Sequence, residues 1–381
     1  MPRPEVSNSA ALAASGLMCA ALFVAGVVLP YVVGRIESRA ATKRDRSEPH
    51  TRPRTKIESL EIIIPAYLEA NGIAQTIARL RTQLGSSRLR SSIAVIASDP
   101  ETADAGTGAD RVMLIGRDGK PAALNIGVRT SSADAVIFMD GNCTLEPANW
   151  LELFERELET ADVVSALKSE LYGHEGAYWR MEDWIKSSHP PELGSLSVVG
   201  EFIGMRRENF VEIPHSVVLD DLWLARTADT AGLLVRIALG IRTVEEAVSA
   251  ADQWERRSRN AEGQFRQGLG TVFAYRRTPA GRIYLAHKLY RYTVGPLTFW
   301  CGTALLSASL GPVPLALAAA ISARATLEYA GRCRRRVVPS SVATLIGMQA
   351  IPFVGAARAI RHVMQSGIGA SEPYRWKKVP R

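Results

Sequence analysis

The chain of 381 residues is long enough for a large core, and 47% hydrophobic against 22% charged residues excludes wholesale disorder. Cys19, Cys143, Cys301 and Cys333 form no paired spacing, which excludes a disulfide scaffold or a zinc module. The net charge of +8 is segregated: residues 35–56 hold eight Lys/Arg against three acids, residues 332–381 ten against one, and residues 57–291 hold 26 against 32. Basic flanks around an acidic middle give no reason to expect a nucleic-acid partner.

Residues 6–34 carry no charge and are followed at once by Arg35, Arg39, Lys43, Arg44 and Arg46. A bilayer crossing takes about 20 apolar residues. A secretory signal would place its charge before a shorter apolar run and a cleavage site after it. Residues 1–34 therefore read as a retained transmembrane anchor, with a buried core helix as the alternative. The positive-inside rule then puts residue 35 onward in the cytoplasm. Residues 35–57 form a basic juxtamembrane linker suited to the anionic surface of the lipid bilayer.

Next come alternating strand and helix signals. Residues 60–64 are a β-branched run ended by Pro65, and Asn71 can cap a helix with Ile73, Ile77, Leu80 and Leu84 on one face. Residues 93–97 and 112–115 read as the second and third strands. A helix over 120–128 leads to a fourth strand at 135–139. Pro147 opens a helix to Leu158, and 163–167 is a fifth strand. Apolar strands without alternation, separated by helices, predict an α/β fold with a mostly parallel sheet covered on both faces. Ligands of such sheets gather at the carboxyl ends of the strands. Tyr67, Glu69, Asp99, Arg117 to Lys120 and Asp140 to Asn142 stand there. Neither G-x-G-x-x-G nor G-x-x-x-x-G-K-[ST] follows the first strand, where Pro65-Ala66-Tyr67-Leu68-Glu69 stands instead, so dinucleotide and P-loop sites are excluded.

Two further charge-free stretches, residues 292–323 and 337–357, close the chain. The first is longer than one crossing and is interrupted by Gly311-Pro312-Val313-Pro314. Residues 292–357 thus hold two to three membrane segments, preceded by an interfacial segment (271–291) and followed by a basic tail (358–381).

Seven motifs stand in an order that resembles family 2 glycosyltransferases: Ile62-Ile-Ile-Pro-Ala-Tyr-Leu-Glu69, Ser98-Asp99, Gly119-Lys-Pro-Ala-Ala-Leu-Asn125, Phe138-Met-Asp-Gly-Asn142, Gly200-Glu-Phe-Ile-Gly-Met-Arg-Arg207, Leu219-Asp-Asp221 and Gln253-Trp-Glu-Arg-Arg257. The resemblance covers about residues 58–270 and implies a cytoplasmic GT-A nucleotide-sugar-binding domain. With transmembrane helices at both ends, the chain is similar to the membrane-bound polysaccharide-synthase branch, which includes hyaluronan, chitin-oligosaccharide, poly-N-acetylglucosamine and cellulose-type synthases.

The resemblance implies a role for each motif. Tyr67 and Glu69 would lie by the donor base, and Asp99 would accept a hydrogen bond from the ring N–H; a turn role before Pro100 is the alternative. Lys120, at a helix start, would meet phosphate, or else be an ordinary solvated lysine. Asp140 and Asn142 stand where relatives carry Asp-x-Asp, and would bind Mg2+ or Mn2+ with one carboxylate fewer. Asp221 would be the base that deprotonates the acceptor and Asp220 its neighbour, with helix-capping acids as the alternative. Gly200 and Gly204 would leave room for a sugar, and Trp179 and Trp184 would stack on sugars or pack in the core. In processive relatives the last motif reads Gln-x-x-Arg-Trp. Here Gln253 and Arg256 match for diphosphate, Arg257 replaces the tryptophan, and Trp254, three residues before Arg257, is a candidate substitute. An Arg-Arg-x-x-Arg run, approached by Arg256-Arg257-Ser258-Arg259, is the other reading.

The expected function is an inverting, multi-pass plasma-membrane glycosyltransferase. It would move a sugar from a nucleotide-diphosphate donor, taken as UDP-linked, to a glycan or lipid-linked acceptor, with an export partner or homo-oligomer for any long product. The alternative is an inactive subunit of a polysaccharide synthesis or export complex.

Overall fold

The computed structural model describes residues 4–44, 56–85, 88–171, 176–246, 249–268, 272–333, 335 and 337–366. The middle of the basic linker (45–55) and the end of the basic tail (367–381) lie outside the described residues. The chain divides into two units. Among the described residues, one comprises those within 34–246 and 273–281; the other comprises those within 4–33, 249–272 and 282–366.

The chain opens with helix α1 (Pro4–Arg44). The first-named unit then runs β1 (Ser59–Ala66), α2 (Ala70–Leu84), β2 (Arg90–Ala97), α3 (Pro100–Ala105), β3 (Arg111–Leu114), α4 (Lys120–Arg129), β4 (Ala135–Met139) and β5 (Thr144–Glu146). It continues with α5 (Trp150–Thr160), β6 (Val163–Leu171), α6 (Gly176–Ser187), β7 (Phe202–Arg206), α7 (Asp220–Thr230) and β8 (Val235–Glu246). One eight-stranded sheet has the order β3-β2-β1-β4-β7-β6-β8-β5. The first four strands are parallel neighbours, β7 runs antiparallel to β4 and β6, β8 is parallel to β6, and β5 is antiparallel to β8.

The core follows from the apolar runs. Ile62, Ile63, Ile64, Ile93, Val95 and Ile137 are wholly buried because helices cover both faces of the sheet. On one face, Phe202 of β7 makes edge contacts with Trp150 and Phe154 of α5. Each such side chain contributes about 1.5–3 kcal/mol by leaving water.

Several local expectations are corrected. The N-cap position of α2 is Glu69, with no side-chain cap, and the helix starts at Ala70, ahead of Asn71. The helix expected from Pro147 starts at Trp150, because Thr144–Glu146 is drawn out to pair with β8. Strands β7 and β8 carry polar residues among apolar ones and had no simple period to betray them.

In the other unit α1 is joined by α8 (Ala250–Gly263), α9 (Val294–Ser309), α10 (Pro312–Tyr329) and α11 (Ser340–Ser366). The expected domain 58–270 runs across the division, since residues 249–268 pack with these helices. Gly302 of α9 approaches Cys19 of α1, Gly16 of α1 approaches Leu306, and Phe23 meets Phe299, so small residues let the two helices come close. Two helical stretches, Asn8–Ala41 and Ser340–Gln365, are long and apolar enough to cross a membrane by length and composition. The 16 residues of α9 and 18 of α10 make a hairpin turned at Gly311, whose φ is 115°. At 1.5 Å per residue these helices span only about 24–27 Å, short of the ~30 Å hydrocarbon core.

Candidate active site

The carboxyl ends of β1, β2 and β4 carry the expected residues. After β1, the Arg117 guanidinium lies 4.7 Å from the centre of the Tyr67 ring, a cation–π pair at the end of the strand. Leu68 adopts φ 53°, and its N–H donates to Asp99 Oδ2 at 2.7 Å. Asp99 Oδ1 accepts the Thr102 N–H at 2.9 Å and so caps α3, while Thr102 Oγ1 accepts the Glu69 N–H at 2.9 Å. Asp99 therefore ties the β1 and β2 loops together. Both of its oxygens serve backbone donors, which is the turn and cap alternative. Glu69 presses its carboxylate onto Gly141, where a Cβ would sit 2.4 Å from Glu69 Oε2. A side chain at Gly141 would have to displace the Glu69 carboxylate and press on Ile73.

Lys120, the first residue of α4, is not a solvated lysine. Its Nζ donates to Asp140 Oδ1 at 2.8 Å and to the Gly200 carbonyl at 3.1 Å, and lies 3.3 Å from Asp220 Oδ2. Burial alone would lower its pKa, but the charges of Asp140 and Asp220 outweigh that and raise it, so it stays an ammonium ion. Asp220 and Asp221 open α7. Asp221 accepts the Leu222 N–H at 2.7 Å and lies against Gly200, within ordinary contact of where a Cβ would stand. Burial first and the neighbouring Asp220 charge second raise the Asp221 carboxyl to about 7.

Asp140 also belongs to a group that sequence reasoning missed. Carboxylate oxygens of Asp140, Glu201 and Glu245 lie within 4.8 Å of one another. Asn142, expected as the second metal ligand beside Asp140, donates its amide N–H to Glu245 Oε1 at 3.2 Å. Lys168 stands between the two glutamates. Its Nζ donates to Glu245 Oε2 at 2.6 Å and to Glu201, and lies 5.3 Å from the centre of the Trp179 ring. Three hard oxygen donors in close reach fit Mg2+ or Mn2+. Cys143 is buried among core residues, and its pKa is pushed up by burial and by Asp140.

Gly204 leaves no room for a sugar: in β7 a Cβ would stand 2.3 Å from the Phe154 ring. Gln253, Trp254, Arg256 and Arg257 sit on α8 in the helical unit. There Trp254 packs edge-on to Tyr329 of α10, with centroids 6.1 Å apart. Glu255 of α8 makes a two-pronged ion pair with Arg358 of α11, both at 2.8 Å. Of the two tryptophans on α6, Trp179 faces Lys168 and Trp184 is exposed.

Glu201 lies inside the quoted Gly200–Arg207 segment, and Lys168 follows the fifth predicted strand, so both had a signal. Glu245 had none, because β8 was not legible.

Residues 61–213 match the family profile "Glycosyl transferase family 2". Curated protein sequences give no match. Among solved structures, the chain is similar to a mannosyltransferase from Pyrobaculum calidifontis in complex with GDP-Man and Mn2+: 20% identity, 92% of this chain and 99% of that chain covered, TM-score 0.67. It is also similar to a mannosyl-3-phosphoglycerate synthase from Rubrobacter xylanophilus, at 15% identity over 56% of this chain and 75% of that chain with TM-score 0.37. A glucosyl-3-phosphoglycerate synthase from Mycobacterium tuberculosis matches at 18% identity over 56% of this chain and 80% of that chain, with TM-score 0.39. Identities this low speak for fold alone, and only the first score is high enough to compare folds across nearly the whole chain. The matched family profile, the sheet order and the acids at the strand ends agree: residues 61–213 form a family 2 glycosyltransferase domain of GT-A type.

Proposed function

We propose that the protein is a membrane-bound, metal-dependent, inverting glycosyltransferase that moves a sugar from a nucleotide-diphosphate donor to a lipid-linked acceptor or a short glycan. The observation that carries this reading is the contact chain Asp140–Lys120–Asp220 at the end of β4, with Asp221 next to it, its carboxyl raised to about 7 by burial and by Asp220. A general base needs a pKa near the working pH. In the proposed step the acceptor oxygen attacks the sugar carbon as Asp221 takes its proton. The carbon–oxygen bond to the diphosphate breaks, and its electron pair leaves with the nucleotide diphosphate. Lys120 holds Asp220 and Asp140 in place and offers a fixed positive charge, while Tyr67 and Arg117 offer a stacking face for the base. A divalent ion held at Asp140, with Glu201, Glu245 and Asn142 around it, would neutralise the leaving diphosphate.

The membrane part of the reading rests on the two long apolar helical stretches and on the basic residues that follow them. Charge asymmetry around residues 35–46 favours a cytoplasmic catalytic unit, where nucleotide sugars are made. The similar mannosyltransferase holds GDP-Man, so GDP-sugars stand beside the UDP-sugars expected from sequence. With Trp254 turned to Tyr329 and Arg257 in the place of a stacking tryptophan, transfer of one or a few sugars fits better than a long polymer. The inactive-subunit alternative loses ground, because Lys120 holds Asp140 and Asp220 together, with Asp221 beside them.

The test incubates membranes containing the protein with labelled UDP- and GDP-sugars and Mn2+. Release of nucleoside diphosphate with label in the lipid extract supports the reading. Pyrophosphate release would mean nucleotidyl transfer, and no turnover of any donor would mean a scaffold.

A further inference from the structure

Lys168 is 4% exposed, and its ammonium group lies among the acids that fit a metal. It reaches them because β6 and β8 slip register between Ala166 and Leu167, where Leu239, Gly240 and Ile241 of β8 are passed over. Such an irregularity re-aims the residues that follow it. Of the three N–H donors of an ammonium, one goes to Glu201 and one to Glu245 Oε2, with the Trp179 ring 5.3 Å away. Glu245 Oε1 takes the Asn142 amide. Two of the three close carboxylates are thus already answered by one fixed positive charge, and Asp140 is shared with Lys120.

We propose that Lys168 is a built-in counter-cation of the metal pocket: it occupies Glu201 and Glu245, so that a divalent ion binds chiefly through Asp140. The proposal rests on the metal-dependent reading above and goes beyond it by dividing the carboxylates into one ligand and two that neutralise a lysine. Counting Lys168 and the Lys120 that pairs with Asp140, the group Asp140, Glu201, Glu245 carries one net negative charge; without Lys168 it carries two, and draws a divalent ion more strongly. Lys168 is a positioning residue here, acting on the metal through the glutamates.

Mn2+ binding to the purified full-length protein in detergent, followed by calorimetry and by the Mn2+ paramagnetic resonance signal, tests the division. Asp140→Asn should weaken Mn2+ binding at least tenfold, whereas Glu245→Gln and Glu201→Gln should change it less than about threefold. Lys168→Met should tighten Mn2+ binding tenfold or add a second bound ion, and its thermal midpoint should rise on adding Mn2+ by more than that of the wild type. Equal weakening by Glu245→Gln and Asp140→Asn overturns the proposal, because Glu245 is then itself a principal ligand. Unchanged Mn2+ affinity in folded Lys168→Met overturns it too. If Lys168→Met does not fold, the comparison of Glu245→Gln with Asp140→Asn decides alone. If the wild type binds no Mn2+, the metal reading fails by itself; gain of Mn2+ binding in Lys168→Met would still support the counter-cation, and no gain would overturn it.

Discussion

At the scale of single residues, the chemistry turns on which acids are charged. Asp221 is raised from an ordinary 3.8 to about 7, so its proton-accepting form prevails only above that value. Sugar transfer should therefore rise with pH through about 7 and level off above it, as measured by kcat/KM across pH 5–9. Asp221→Asn should lower transfer by about 10²–10⁴, the usual worth of a general base, with donor binding kept; transfer within threefold of wild type would end the assignment. Because the folded pKa is raised, the stability linked to Asp221 is full below about pH 4 and lost as pH climbs through 7. Asn142 has a different lesson. Its amide donates to Glu245, so Asn142→Asp would set two carboxylates against each other and remove a donor. Metal-free Asn142→Asp should be about 1–3 kcal/mol less stable by denaturant titration, and Mn2+ should restore most of the loss.

At the scale of elements, two close approaches carry predictions. Gly204 in β7 faces Phe154 of α5 at a distance that leaves no space for a methyl group. Gly204→Ala should cost about 1–3 kcal/mol through overpacking, read as a lower thermal midpoint, with KM for the donor unchanged. Trp254 on α8 sits in a cluster with Tyr329, Ile351 and Tyr292. Trp254→Ala should cost about 2 kcal/mol, below the ~3–5 kcal/mol of a wholly buried tryptophan, and should leave product length unaltered. A shortened product from a variant of unchanged stability would restore Trp254 to the acceptor side. The two-pronged Glu255–Arg358 pair and the contact of Gly355 with Ala261 explain why α8 packs with α11.

At the scale of the whole molecule, the proposed membrane location rests on two long apolar helices. With Asn8–Ala41 and Ser340–Gln365 as crossings, the protein should stay in the membrane pellet after an alkaline carbonate wash. Protease added outside sealed, right-side-out membranes should leave residues 56–246 intact, and permeabilised membranes should lose them. Cleavage in sealed membranes would reverse the orientation drawn from Arg35 to Arg46.

Strands β1, β2 and β4 were legible because a strand buried on both faces must be apolar without a break, a local property of the chain. Of the charge-free stretches, 6–34 and most of 337–357 fall within long apolar helices, because an uninterrupted apolar run is also a local property. Asp140 and Lys120 could be marked because they stand after strands, whereas Asp220 and Asp221 were marked only by the resemblance to family 2 glycosyltransferases. The Asp140–Glu201–Glu245 group with Lys168 could not be assembled from sequence. Its members stand at the ends of β4, β6 and β8 and at the start of β7, and only the order β4-β7-β6-β8 makes them neighbours. Gly204 as a packing residue and Trp254 as a partner of Tyr329 were likewise decided by what lies across from them. Periodicity and composition report whether a side chain is buried; which charges share a pocket depends on contacts between residues up to a hundred positions apart, and these exist only once the sheet has formed.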